Sequence, residues 1–391
     1  PLLLARAKSL IALFLLKKED YKLSIEKLNE ADTIATTHND QNLVHDNIST
    51  KIMLYMLSGR FAVVRTLVEQ IKQQALEIKN RNINLPQAEL MTAFAEFFET
   101  FTDLFCYTIK ENSNHIITIK NAMQRHNQGF FLELIAKAYY VYSVWNSQFD
   151  LDTVRKNIIE YNSMLFAGYP ESLLALPLIS KDKFSAALEF VDRGEKLFKQ
   201  TQSPVGLGIS LFLKAFTAFR QNDLKVSLTY LSGTIKVHIH KTYWFIAQSL
   251  ILAALCALLT SDNRRAEIYL KTALKMQKEH CGYSIIFDAA QILLNFVTNG
   301  ESEELYASID KFFENPYFDY HPYYSVPAIV IVLAVKSKDY DKLIKYHKYL
   351  TSRFVGAMDF VIIHKLFNSD LSQLQGVLEE IRDSSMTSVA M

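Results

Sequence analysis

The sequence predicts an all-α protein, a right-handed α-solenoid of about nine or ten antiparallel helix pairs stacked into a superhelix. Short polar turns recur roughly every 40 residues along the 391-residue chain. Most intervals between turns hold two apolar stretches with helical spacing; Leu211, Phe212, Ala215, Phe216 and Phe219 fall on one such stripe. Glycine (11) and proline (8) are scarce, which argues against an all-β chain with many tight turns. A unit of two short helices cannot bury its own apolar face, so it must stack on copies of itself.

The elements follow in order. Leu10 to Leu16 is preceded by Arg6 and Lys8, as a secretory signal would be. It reads as a first helix instead, because Lys17, Lys18, Glu19 and Asp20 follow directly with no small-residue cleavage site. Turns fall at Asp20-Tyr21, Arg60-Phe61, Phe149-Asp150, Lys183-Phe184, Asp223-Leu224, Asp262-Asn263, Gly300-Glu301 and Asp339-Tyr340. The one long gap, between Arg60 and Phe149, has room for two units with a hidden turn near 112–114, and a weak last turn lies at 368–370. Phe94, Phe97, Phe98, Phe101 and Phe105 form a broad stripe that packs into the core. Phe245 to Leu259 is apolar but contains Gln248 and Ser249 and falls short of the roughly 20 residues a bilayer needs, so it reads as a buried helix. The β-branched run Val326 to Val335 is the strongest strand signal. Pro327 near its start and the Asp339-Tyr340 turn after it make it a first helix. One domain is expected over 1–382, with a frayed tail at 383–391.

Small residues recur where paired helices must touch. The pattern reads Ala12, Asp20-Tyr21, Ser24, Leu28, Ala31, then Ala175, Phe184, Ala187, Val191, Gly194, then Ala215, Asp223-Leu224, Ser227, Leu231, Thr234, and most clearly Ala254, Asp262, Ala266, Leu270, Ala273. This arrangement resembles the tetratricopeptide repeat (TPR). The period here is nearer 40 than 34 residues, and the motif's first-helix Trp and terminal Pro are missing, so the resemblance is to the broad TPR-like class. The longer, looser period is similar to the sensor arms of STAND-type signalling ATPases, including the large transcription regulators with a LuxR-type DNA-binding domain. That likeness implies an arm that binds an inducer or partner for other domains of the same chain. The chain starts at Pro1, as expected of a segment from a longer protein.

Several chemistries have no sequence support. No Gly-x-x-x-x-Gly-Lys-Ser/Thr loop occurs, and Gly206 and Gly208 lack the third glycine and preceding strand of a dinucleotide site. There is no His-Glu-x-x-His and no Cys-x-x-Cys. His238 and His240, two apart on a helix, point to different sides and read as a polar helix end. No nucleophile, base and orienter assemble, so neither an enzyme nor a cofactor is expected. Lys+Arg (42) and Asp+Glu (41) nearly cancel, giving no global pull toward nucleic acid or membrane. Arg264, Arg265, Lys271, Lys275 and Lys278 read as a solvated outer face. Three widely separated cysteines, Cys106, Cys256 and Cys281, suit a reduced, cytoplasmic setting.

The expected function is partner or inducer binding in the concave groove, by a regulator's sensor arm or by a general protein–protein scaffold that takes a peptide or helix. The candidate contacts are Tyr243 and Trp244, which open a first helix, and Tyr320 and Tyr324 in the aromatic stretch 317–324. Tyrosine and tryptophan rings are rigid and amphipathic, and first helices line the inner wall of such arrays. The same rings could instead be core anchors or plugs between hairpins.

Overall fold

The computed structural model describes residues 1–81, 84–106, 108, 168–180 and 183–315. Among them every regular element is helical: α1 (Leu2–Lys17), α2 (Tyr21–Thr37), α3 (Gln41–Leu57), α4 (Phe61–Asn80), α5 (Leu85–Cys106), α6 (Tyr169–Ser180), α7 (Phe184–Thr201), α8 (Pro204–Arg220), α9 (Leu224–His238), α10 (Tyr243–Leu259), α11 (Asn263–Met276), a π-helical turn (Gln277–Cys281), α12 (Ile285–Asn299) and α13 (Glu303–Phe313). Neighbours in sequence pack on one another throughout, as a solenoid requires. The expected turns near 112–114, 149–150, 339–340 and 368–370, the helix from Val326, the tail 383–391, and Tyr320 and Tyr324 lie outside the described residues.

A single local device reverses the chain. A residue with left-handed φ is followed at once, or nearly so, by the N-cap of the next helix. Glu19, Asn39, Gln202, Asn222 and Ser261 have φ between 54° and 64°, and Gly59 has 73°. The next residue's N–H bonds back to a carbonyl five positions earlier, as in Asp20 to Leu15 (3.0 Å), Asp223 to Ala218 (2.8 Å) and Asp262 to Ala257 (2.8 Å). This is the Schellman closure of one helix. The same aspartates then accept the N–H of Leu23 (3.2 Å), Val226 (3.1 Å) and Arg265 (3.0 Å), capping the following helix. Ser203 does likewise for Gly206 (2.9 Å), with Pro204 at the first helical position of α8.

The small-residue pattern marks the contact faces. Ala12, Ser24, Leu28 and Ala31 are fully buried, as are Ala254, Ala266, Leu270 and Ala273. The Ser24 hydroxyl donates to the Ala12 carbonyl (2.7 Å), pinning α2 to α1 where only a small side chain fits. This is the packing of a TPR-like helical repeat. In α10 every residue from Ile246 to Leu259 is buried, because α8, α9, α11 and the α3–α4 turn surround it. Among the described residues no helix is long and apolar enough to cross a membrane. Four of the five stripe phenylalanines pack inward: Phe97 and Phe98 are buried, with ring centroids 5.2 Å apart, and Phe94 and Phe105 lie half-buried against the core.

The array also closes on itself. Residues near the N-terminus meet loops about 180 positions later. The Glu19 carboxylate accepts the Ser203 hydroxyl and the Val205 N–H (2.9 Å), across 184 and 186 residues of sequence. Tyr243 N–H donates to the Ser58 carbonyl (3.0 Å). The Ser284 hydroxyl donates to the Cys106 carbonyl (2.8 Å), across 178 residues. The tips of the α1–α2 and α3–α4 hairpins and the end of α5 therefore sit on loops between later helices, and a seam runs along the contact.

Candidate functional site

The seam is tight at its centre. Gly59 approaches the start of α10 so closely that a Cβ there would lie 2.5 Å from the Trp244 nitrogen and 2.7 Å from its Cβ. Glycine is required for that approach as well as for its φ of 73°. Trp244 is 2% exposed and packs edge-on against Phe61 (5.5 Å) and Phe287 (5.8 Å). The expectation that Trp244 contacts a partner is corrected here. Its indole faces inward, between α4 and α12, and serves as the core anchor that joins the two halves of the seam.

Tyr243, one residue earlier, points elsewhere. It lines a cleft of about 260 Å³ between three stretches distant in sequence. The start of α2 supplies Tyr21, Lys22, Ile25 and Glu26, the end of α3 and the turn after it supply Tyr55, Ser58 and Arg60, and the α9–α10 loop supplies His240 and Lys241. The Arg60 guanidinium lies over the Tyr243 ring (5.2 Å) and donates to its hydroxyl (3.3 Å). His280 stacks on the same ring, with centroids 3.8 Å apart at 22°. The tyrosine is thus fixed without being buried, a favourable state for a contact ring. Burial first, then the charge of Arg60, holds the His280 imidazole below its ordinary pKa, while Glu279 works weakly against them.

Behind the cleft, Glu19, Val205 and His238 form a relay across the seam. Val205 donates its N–H to Glu19 and accepts from His238 Nε2 through its carbonyl (2.8 Å). Because a carbonyl can only accept, Nε2 carries the hydrogen, and the buried Nδ1 is left without a partner. Burial pushes the His238 pKa down to about 4, and the Lys241 charge adds to the effect. Burial raises the Glu19 carboxyl above its usual value, against the opposing hydrogen bonds from Ser203 and Val205 and the charge of Lys241. His238, expected as part of a polar helix end, is instead a buried strut; His240 is exposed at the cleft edge.

The remaining features hold no assembled chemistry. Among the described residues no cluster of three or more His, Cys, Asp or Glu could hold a metal ion. Cys106, Cys256 and Cys281 are buried free thiols. On α11, Arg265 pairs with Asp262 (3.8 Å) and Lys271 with Glu267 (2.6 Å), as expected of a solvated face. Of the four expected contacts, the structure places Tyr243 on the cleft and Trp244 in the core, and it does not bring the pair together on one surface. In the sequence Arg60 is legible only as a turn residue, and Lys22, Lys241 and Tyr55 carry no local signal of the cleft. The usable signal was Gly59, a lone glycine at a turn where the equivalent position elsewhere carries a polar residue.

Compared with protein families and with curated proteins, the chain matches none. Among solved structures it is similar to a Rap protein complexed with Competence and Sporulation Factor, at 13% identity over 99% of this chain and 96% of that one, with a TM-score of 0.46. It is similar to the apo form of RapI at 12% identity over 98% and 99%, and to yeast Tom70 at 12% over 98% and 96%, each with a TM-score of 0.38. At these values the alignments assign no functional residue to this chain.

Proposed function

We propose that this chain is a non-catalytic interaction arm that captures a peptide segment of a partner at the seam cleft. The observation that carries the reading is Tyr243, held by Arg60 and His280 and lining, with Tyr55, a cleft assembled from three distant stretches. Rigid aromatic rings at such a junction bury large area at little entropic cost. Tyr320 and Tyr324 belong to the same proposal on sequence grounds. The finer reading is that the arm serves a larger cytoplasmic signalling or transcription regulator of the STAND type; a general scaffold is the alternative, and a nucleotide-binding ATPase encoded upstream would favour the former.

The test is a peptide-array screen with the purified chain, repeated with Tyr243→Ala and Tyr55→Ala. Both variants should keep their helical circular dichroism and lose most of the bound spots. Spots unchanged by either substitution would place the contact surface away from the cleft.

A further inference from the structure

The cleft gathers positive charge from three separate stretches. Several lysines that lie between packed helices sit against carboxylates: Lys51 on Asp32 (2.5 Å), Lys72 on Glu99 (2.9 Å) and Lys214 on Glu195 (2.5 Å). Three cations meet at the cleft with no such partner. Among the described residues Lys22 and Lys241 make no ion pair, and the Arg60 guanidinium bonds only the Tyr243 hydroxyl. Glu26 is the one carboxylate that lines the space. Glu19 lies close enough for its carboxyl to feel Lys241, but its oxygens are taken by Ser203 and Val205. In a chain whose charges balance to +1, this is a local departure.

We propose that the cleft binds one compact oxyanion, a carboxylate or phosphate carried by a side chain of a bound peptide. The inference rests on the interaction-arm reading above. A guanidinium presents parallel N–H donors that match an oxyanion's geometry, while an ammonium acts as a point charge. Arg60 is held in place by the tyrosine it stacks on, so little side-chain freedom is lost when it engages. Lys22 and Lys241 flank it from α2 and from the α9–α10 loop, and Tyr55 and Tyr243 supply walls for the aliphatic part of the same residue. The volume of about 260 Å³ suits one side chain; pockets for whole small molecules run from about 300 to 1,000 Å³.

The probe is a set of three fluorescent nine-residue peptide pools, identical except for a central Glu, phosphoserine or Gln, read by anisotropy. A charge-assisted hydrogen bond supports a preference of about tenfold, so the Glu or the phosphoserine pool should bind at least tenfold tighter than the Gln pool. Which of the two is tighter identifies carboxylate or phosphate as the natural group. Arg60→Gln and Lys241→Gln, each checked for unchanged helical content, should bring all three pools to the level of the Gln pool. Lys271→Gln, on the solvated face of α11, should leave the preference intact. Equal and measurable binding of the three pools would overturn the oxyanion site while leaving peptide capture standing. A preference that survives both cleft substitutions would place the anion site elsewhere. No binding by any pool would sink the interaction-arm reading itself.

Discussion

Acidification should loosen the α8–α9 packing by protonating His238. In the folded chain this imidazole is buried, donates from Nε2 to the Val205 carbonyl, and has no partner for Nδ1. A second proton would place an unpaired donor and a charge in the core, which is why the pKa falls from the ordinary 6.5 to about 4. A depressed folded pKa contributes stability that is fully present above 6.5 and lost as the pH falls through about 4. A gap of roughly 2.5 pH units corresponds to about 3 kcal/mol. Glu19 works in the opposite sense. Its raised carboxyl pKa gives a contribution present below the unfolded value and lost as pH rises through the folded one. Comparing the wild type with His238→Gln isolates the histidine, because both carry Glu19 and the glutamine amide can still donate to Val205. Urea unfolding followed by circular dichroism between pH 7 and 4 should show the wild type losing about 3 kcal/mol more than the variant. Parallel pH profiles would refute the reasoning, as would a His238 resonance titrating near 6.5.

Further substitutions probe the packing and the cleft. Ala266→Trp places a large ring where α11 is fully buried against α10. It should cost about 1–3 kcal/mol or more and destabilise the neighbouring hairpins first; an unchanged melting temperature would mean the helix pairing is out of register. Gly59→Ala should cost about 1–2 kcal/mol from its left-handed φ alone and more from the collision with Trp244. A loss limited to about 1–2 kcal/mol would discount the close approach at the seam. Trp244→Ala should cost roughly 3–5 kcal/mol of stability, whereas Tyr243→Ala should weaken binding with little change in urea midpoint. The reverse pattern would exchange their roles.

Much of this fold is written locally. The turns at Asp20, Asp223 and Asp262 are legible because an aspartate N-cap acts within four residues, and Ala12, Ala254 and Ala266 are legible because helix contact permits only small side chains. The seam is of another kind. Glu19 with Ser203, and Ser58 with Tyr243, join residues more than 180 positions apart, and no periodicity encodes which hairpin meets which loop. For the same reason the sequence marks Tyr243 and Trp244 as a pair without telling which one faces the cleft. Successive helical residues point about 100° apart, and Phe61 of α4 and Phe287 of α12, not α10 itself, decide the side that is covered. The cation cluster was invisible because Lys22, Arg60 and Lys241 come from three separate stretches.

The most direct test of the cleft as the binding site is amide hydrogen exchange with and without the tightest-binding peptide pool. The Tyr243 N–H is bonded across the seam to Ser58, so it reports on the cleft itself. Binding should slow exchange at Tyr243 and over residues 55–60 and 240–243, and leave α11 unchanged. Protection confined to other helices, with Tyr243 exchanging as in the free protein, would contradict the account.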